Sequence, residues 1–185
     1  LNLGVPVSQN RNGDLIGKVA NVGDPEGEQT RVYETNAHLP FHSDPSDVVG
    51  LLCLRKARKG GLSSLTSSAS LYNRMLESCP EHIGLFYRPM PYAHLGEDHP
   101  TMTPLFSYHA GKLSCRYLRQ YIELGHTVTG TPLSAVETQA FDRFDEIARD
   151  DELRLDMMLE PGDLQFANNY VILHSRTAFD DREGE

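Results

Sequence analysis

Turn signals divide this chain into short apolar runs, and that pattern limits it to folds made of many short strands. The run from Asp47 to Leu54, containing Val48-Val49-Gly50-Leu51-Leu52-Cys53, is rich in β-branched and leucine residues and predicts a buried strand. Lys59-Gly60-Gly61 predicts a turn, and Leu62 to Ser67 a further short strand. Leu105 to Tyr108 and Leu113 to Tyr117 flank Ala110-Gly111 and predict a hairpin. The pattern then resumes with Leu153 to Leu159, the turn Pro161-Gly162-Asp163, Leu164 to Ala167, and Tyr170 to His174. Before Asn36, turn signals at Asn12-Gly13 and Asp24-Pro25 around Leu15-Ile16 predict loops and short strands.

Helical spacing occurs twice. Ser68 or Ser70 can cap a helix running through Leu71, Met75 and Leu76 to Cys79-Pro80, where proline ends it. Ser134 and Glu137 form a capping box, after which Val136, Ala140, Phe141, Phe144 and Ile147 recur on one face that belongs to a core. Many short strands with a few helices outside them predict a mainly β fold with flanking helices, an antiparallel sandwich or jelly roll with a mouth between its sheets.

A length of 185 residues fits one domain spanning 1-185. No apolar run approaches the roughly 20 residues that cross a bilayer, which weighs against a membrane role. A net charge of −9, with no Lys/Arg-rich stretch, weighs against nucleic acid as a partner. A small-molecule substrate is the expected partner, and a homo-oligomer stays open. Cys53, Cys79 and Cys115 form an odd set without paired spacing, so a reducing, cytoplasmic location is expected, with Cys53 as a buried structural thiol. The chain opens at Leu1 with no signal or transit pattern and stops directly after a strongly patterned segment, so terminal segments of a longer protein are expected to be missing.

His42-Ser43-Asp44 stands just before the first strong strand, and His174 ends the last. In extended chain, residues i and i+2 face one side, so His42 and Asp44 can offer an imidazole and a carboxylate to one ion, completed by an imidazole from a distant strand. Two histidines and one carboxylate on one face leave open positions on iron(II) for a cosubstrate and oxygen. A His-x-Asp pair alone is weak: with 8 histidines it arises by chance in roughly half of chains of this composition. The bland reading is a surface turn between Pro40 and Pro45, with Asp44 as a local cap.

Three blocks in order add to this pair: Leu39-Pro40-Phe41-His42-Ser43-Asp44, then Gly60-Gly61-Leu62-Ser63-Ser64-Leu65-Thr66-Ser67, then Pro161-Gly162-Asp163 leading through Asn168-Asn169 to Leu173-His174-Ser175-Arg176-Thr177. From about Thr35 to Asp181 the chain resembles the taurine dioxygenase (TauD/TfdA-like) family. The resemblance implies a double-stranded β-helix core of the jelly-roll, cupin-like kind, with Fe(II) held by His42, Asp44 and His174. It implies 2-oxoglutarate and O2 as cosubstrates, and oxidation, most often hydroxylation, of a small organic substrate with release of succinate and CO2.

Ser63 stands where the family's hydroxyl bonds 2-oxoglutarate; it could equally be a strand hydroxyl satisfied by nearby backbone. Arg176, in a His-x-Arg pattern, could touch cosubstrate or substrate, or pair with Asp163 or Asp180. Asn169 matches an asparagine read as a structural hydrogen-bonder. The family's arginine for the far carboxylate stands further past the distal histidine than Arg182, so it is expected beyond residue 185. Arg116, Arg119, Tyr108 and Asn36 could line the mouth or be ordinary surface groups. The competing readings are a non-catalytic jelly-roll protein that binds a metal or ligand, and a zinc hydrolase, the latter lacking an evident general base beside the ligands.

Overall fold

A computed structural model describes residues 4–9, 13–21, 35–94 and 99–181. The short apolar runs become strands β1 (Leu39–His42), β2 (Val48–Leu52), β3 (Lys59–Gly60) and β4 (Ser63–Ser67), followed by helices α1 (Ser68–Ser78) and α2 (Pro80–Phe86). Strands β5 (Met90–Tyr92), β6 (Thr101–Thr103), β7 (Phe106–His109) and β8 (Lys112–Cys115) lead to helices α3 (Arg119–Val128) and α4 (Ala135–Ala148). The described chain closes with β9 (Arg154–Met157), β10 (Leu164–Asn168), β11 (Ile172–Arg176) and β12 (Phe179–Asp180).

Strands β1, β11, β4 and β9 form an antiparallel sheet in that order, and β2 pairs with β10 as a separate antiparallel ribbon. Alternation along the sheet sends Leu173, Ser175, Ser64 and Thr66 to one side and His174, Arg176, Ser63 and Leu65 to the other. The first side meets the helices, where the Thr66 hydroxyl donates to the Ala148 carbonyl at 2.9 Å. The second faces the ribbon, where the Ser63 hydroxyl donates to Gln165 Oε1 at 3.3 Å. A mainly β jelly-roll core with flanking helices is therefore the architecture.

The core lies on the helix side. Phe86, Phe106, Tyr117, Phe141 and Phe144 are buried together, with ring centroids 4.2 Å apart for Tyr117 and Phe144 and 5.5 Å for Phe86 and Phe141. The capping box at Ser134 and Glu137 opens α4 as expected, and Ala140, Phe141, Phe144 and Ile147 are buried. Val136 departs from the expected face: it lies in the first turn and is 55% exposed.

Other local expectations shift. Ser67, not Ser68 or Ser70, caps α1, accepting from the Ser70 amide. Pro80 does follow the end of α1, but it also begins α2 at a position where its missing N–H has no intrahelical partner to lose. Helix α3 has no side-chain cap at Leu118 and a glycine inside it, so its sequence carries little helical signal. Gly125 is nonetheless required there, because a Cβ would collide with the Pro91 carbonyl of β5.

Strand β2 is half-exposed rather than buried, since the ribbon's outer face carries Val48, Leu52, Leu164 and Phe166. Cys53 is likewise only partly buried. Leu15 and Ile16 lie exposed in a bend, not a strand. Asn12 and the Asp24-Pro25 signal fall outside the described residues. No helix among the described residues is long and apolar enough to cross a membrane.

Candidate metal centre

The site begins with an irregularity in β1. Leu39 pairs with Arg176 and His42 with His174, so β1 spends one more residue than β11 over the same stretch. Without that bulge, Phe41 would stand opposite His174; with it, His42 does, while the Phe41 ring is buried in the core. The sequence reading placed His42 ahead of the first strand, whereas it ends a strand of its own.

Asp44 follows two residues later, and its position is fixed by long-range contacts. Its amide donates to Asn169 Oδ1 at 3.0 Å, and Asn169 Nδ2 donates to Ser46 Oγ at 3.2 Å. Between the two, Ser43 donates its amide to the Tyr117 carbonyl at 2.7 Å and accepts from the Tyr117 amide at 3.0 Å. Asn169 is thus a buried hydrogen-bonder that holds the Asp44 backbone.

His42, Asp44 and His174 converge, each offering a ligand atom within 4.8 Å of the others. His42 Nε2 lies 3.7 Å from Asp44 Oδ1, His174 Nε2 lies 3.4 Å from Asp44 Oδ2, and the imidazole centroids are 4.2 Å apart. His42 Nδ1 lies 2.8 Å from the Pro40 carbonyl. A carbonyl can only accept, so the proton is assigned to Nδ1 and the Nε2 lone pair faces the cluster. Burial, and then the neighbouring His174, lower the His42 pKa to about 4, with Asp44 and the Pro40 carbonyl pulling it back up. The imidazole is therefore neutral at physiological pH, as a metal ligand must be. Three donors on one side, one fewer than closes a structural zinc site, fit a metal that keeps positions for other ligands.

A pH dependence follows for the metal-free protein. Between pH 6.5 and about 4 the unfolded chain takes up a proton on His42 that the folded protein refuses. Stability is complete above that window and falls as the pH drops through it, by up to roughly 3 kcal/mol. Urea midpoints of the metal-free protein at pH 7 and pH 5 measure this, and His42→Gln should flatten the difference. An unchanged slope in that variant would contradict the assignment.

Ser63 and Arg176 are cross-strand partners on the same face as His174. Ser63 is satisfied by the Gln165 side chain rather than by backbone, and Gln165 Nε2 in turn lies 3.1 Å from Met157 Sδ. Arg176 pairs with neither Asp163 nor Asp180; Asp180 is held by Arg58 at 3.1 Å. Arg176 instead lies 4.5 Å over the Phe179 ring and donates Nη2 to the Thr35 and Ala37 carbonyls at 3.0 and 2.8 Å. Its Nε and Nη1 are buried without a partner, and burial lowers its pKa.

Of the other candidates, Arg119 is engaged by Glu123, Asp142 and Asp145 at 2.7, 2.7 and 2.8 Å. Tyr108 is exposed on β7, and the Asn36 carbonyl accepts the Phe179 amide. Arg116 lies over Tyr92, 4.7 Å from its ring centroid. Gln165 and Tyr92 were not singled out from sequence. A polar residue alternating within β10 is the one signal that marks Gln165.

The family described as taurine catabolism dioxygenase TauD, TfdA family matches residues 3–185. FR-33289 synthase of Streptomyces rubellomurinus is 39% identical over 191 residues, covering 99% of this chain and 56% of that protein. Taurine hydroxylase-like protein SAT17 of Stachybotrys chartarum is 33% identical over 154 residues, covering 80% of this chain and 40% of that protein. Asparagine oxygenase, solved with Fe(II), a hydroxyasparagine and succinate, superposes with TM-score 0.67 at 20% identity, covering 89% of this chain and 51% of that one. The non-heme iron oxygenase OrfP, solved with Fe and alpha-ketoglutaric acid, superposes with TM-score 0.65 at 17% identity, covering 97% and 56%. The chain spans about half the length of the relatives it matches.

Proposed function

The chain belongs to the taurine catabolism dioxygenase TauD, TfdA family, and from that premise we propose that the full protein is an Fe(II)- and 2-oxoglutarate-dependent oxygenase that oxidises a small organic substrate. The observation that carries this reading is the convergence of His42, Asp44 and His174, with His42 turned inward by the β1 bulge. Iron(II) bound there would couple the decarboxylation of 2-oxoglutarate by O2, giving succinate and CO2, to hydroxylation of a substrate C–H bond.

The protein's own groups do the holding. The Pro40 carbonyl fixes the His42 tautomer, and Asn169 fixes the Asp44 backbone. Ser63 and Arg176, side by side on the ligand face, are assigned to the cosubstrate: a hydroxyl and two unpartnered guanidinium nitrogens suit its carboxylate oxygens. The hydroxylated amino acids in the asparagine oxygenase and OrfP crystals support a small polar substrate. A three-donor set favours this reading over a closed, non-catalytic metal site. The three free thiols suit a reducing, cytoplasmic setting.

Anaerobic addition of Fe(II) and then 2-oxoglutarate to the full-length protein tests the reading. The expected result is a weak visible charge-transfer band that requires both components, followed on admission of air by succinate. Fe(II) binding with neither band nor succinate would overturn it in favour of the non-catalytic alternative.

A further inference from the structure

We propose that Arg116 binds an oxyanion of the primary substrate, a carboxylate or a phosphate-type group, beside the metal centre. The proposal rests on the oxygenase reading and names the substrate class for the same site.

Arginines 58, 74, 119, 143 and 154 are each ion-paired with a carboxylate, and Arg55, Arg88 and Arg149, which have no ion pair among the described residues, are exposed to solvent. Arg116 has no ion pair among the described residues, and its Nε is buried without an acceptor. A half-buried guanidinium in that state is costly to maintain, and its planar fork matches an oxyanion in shape and charge.

The backbone pins Arg116 between the two segments that carry the ligand-holding groups. On one side, the Cys115 amide donates to the Tyr170 carbonyl at 2.8 Å, directly after Asn169. On the other, Tyr117 makes its two bonds to Ser43, the residue between His42 and Asp44. Cys115, Tyr117 and Ser43 are all buried. Arg116 between them is only half-buried, as Asp44 is beside Ser43, and the Asp44 carboxylate acts on Tyr92, the ring on which Arg116 lies.

There the guanidinium rests on Tyr92, itself buried. Burial raises the Tyr92 pKa well above the ordinary phenol value, against the charge and hydrogen bond of Arg116, and the Asp44 carboxylate adds to the rise. The ring beneath Arg116 is therefore a neutral platform that leaves its positive charge uncompensated.

Calorimetric titration of acetate, inorganic phosphate and uncharged acetamide into full-length protein loaded with Mn(II) tests this, with 2-oxoglutarate titrated separately. Wild type should bind acetate or phosphate, the stronger of the two identifying the oxyanion class, and not acetamide. Arg116→Gln should weaken that anion by about tenfold or more, as expected for losing a charge-assisted hydrogen bond, while Arg116→Lys retains part of it. Both variants should melt as wild type does and keep its 2-oxoglutarate affinity. Equal anion binding by wild type and Arg116→Gln, no anion binding by wild type, or loss of 2-oxoglutarate instead would each overturn the proposal. Anion binding that depends on Arg116 in a wild-type protein that fails to bind 2-oxoglutarate would sink the oxygenase reading and leave the anion site standing.

Discussion

Replacing His174 by alanine is expected to abolish 2-oxoglutarate-dependent succinate formation and to weaken Fe(II) binding by more than about a hundredfold, beyond what losing an outer partner of a ligand costs. The imidazole is one of the three donors proposed for the metal, and its Nε2 stands 3.4 Å from Asp44 Oδ2. Asp44→Ala should behave alike, because it removes the carboxylate that lies within reach of both imidazoles. Neither change should unfold the metal-free protein. His174 Nδ1 makes no hydrogen bond, and Asp44 is anchored through its backbone amide. Equilibrium Fe(II) binding and circular dichroism on the two variants measure the two halves of the claim. Wild-type metal affinity in either variant would remove that residue from the centre.

Phe144→Ala is expected to do the reverse, damaging the fold before the site. The ring is fully buried and touches Phe86, Phe106 and Tyr117, with centroids at 5.7, 6.1 and 4.2 Å. Losing it removes apolar burial and leaves a cavity, a combination that costs about 3–5 kcal/mol in well-packed cores. Set against a total stability of about 5–15 kcal/mol, that is a large fraction. The melting temperature should fall by roughly 10 °C. Because Tyr117 carries the two bonds to Ser43, loosening its packing should also weaken metal binding, by less than His174→Ala does. A melting temperature within a degree or two of wild type, about the spread of a neutral surface change, would show that the aromatic cluster is not the main core.

The same two regions show how far residue patterns reach. The capping box at Ser134 and Glu137, and the stripe of Phe141, Phe144 and Ile147, were legible because each depends on residues three or four apart. Helix α3 was not legible, since Gly125 lowers its local helical preference while serving a contact with Pro91, thirty-four positions earlier. Val136 misled for a related reason: spacing assigns a face, but only the neighbouring layer decides how wide the buried stripe is. Arg116 and Arg119 looked alike in sequence. They differ because Asp142 and Asp145, on another helix, reach the second and not the first.

Sequence alone pointed to the class of fold and to the pair His42 and Asp44, because short apolar runs, turn residues and an i, i+2 relation are properties of neighbouring residues, while His174 joined them through the family resemblance of three motif blocks in order. Tertiary structure decided which atoms those ligands present and to what. The one-residue bulge that puts His42, and not Phe41, opposite His174 is a matter of pairing between strands more than a hundred residues apart. So is the Asn169 contact that holds the Asp44 backbone. Such contacts form only when distant segments meet, and no local period in the chain encodes them.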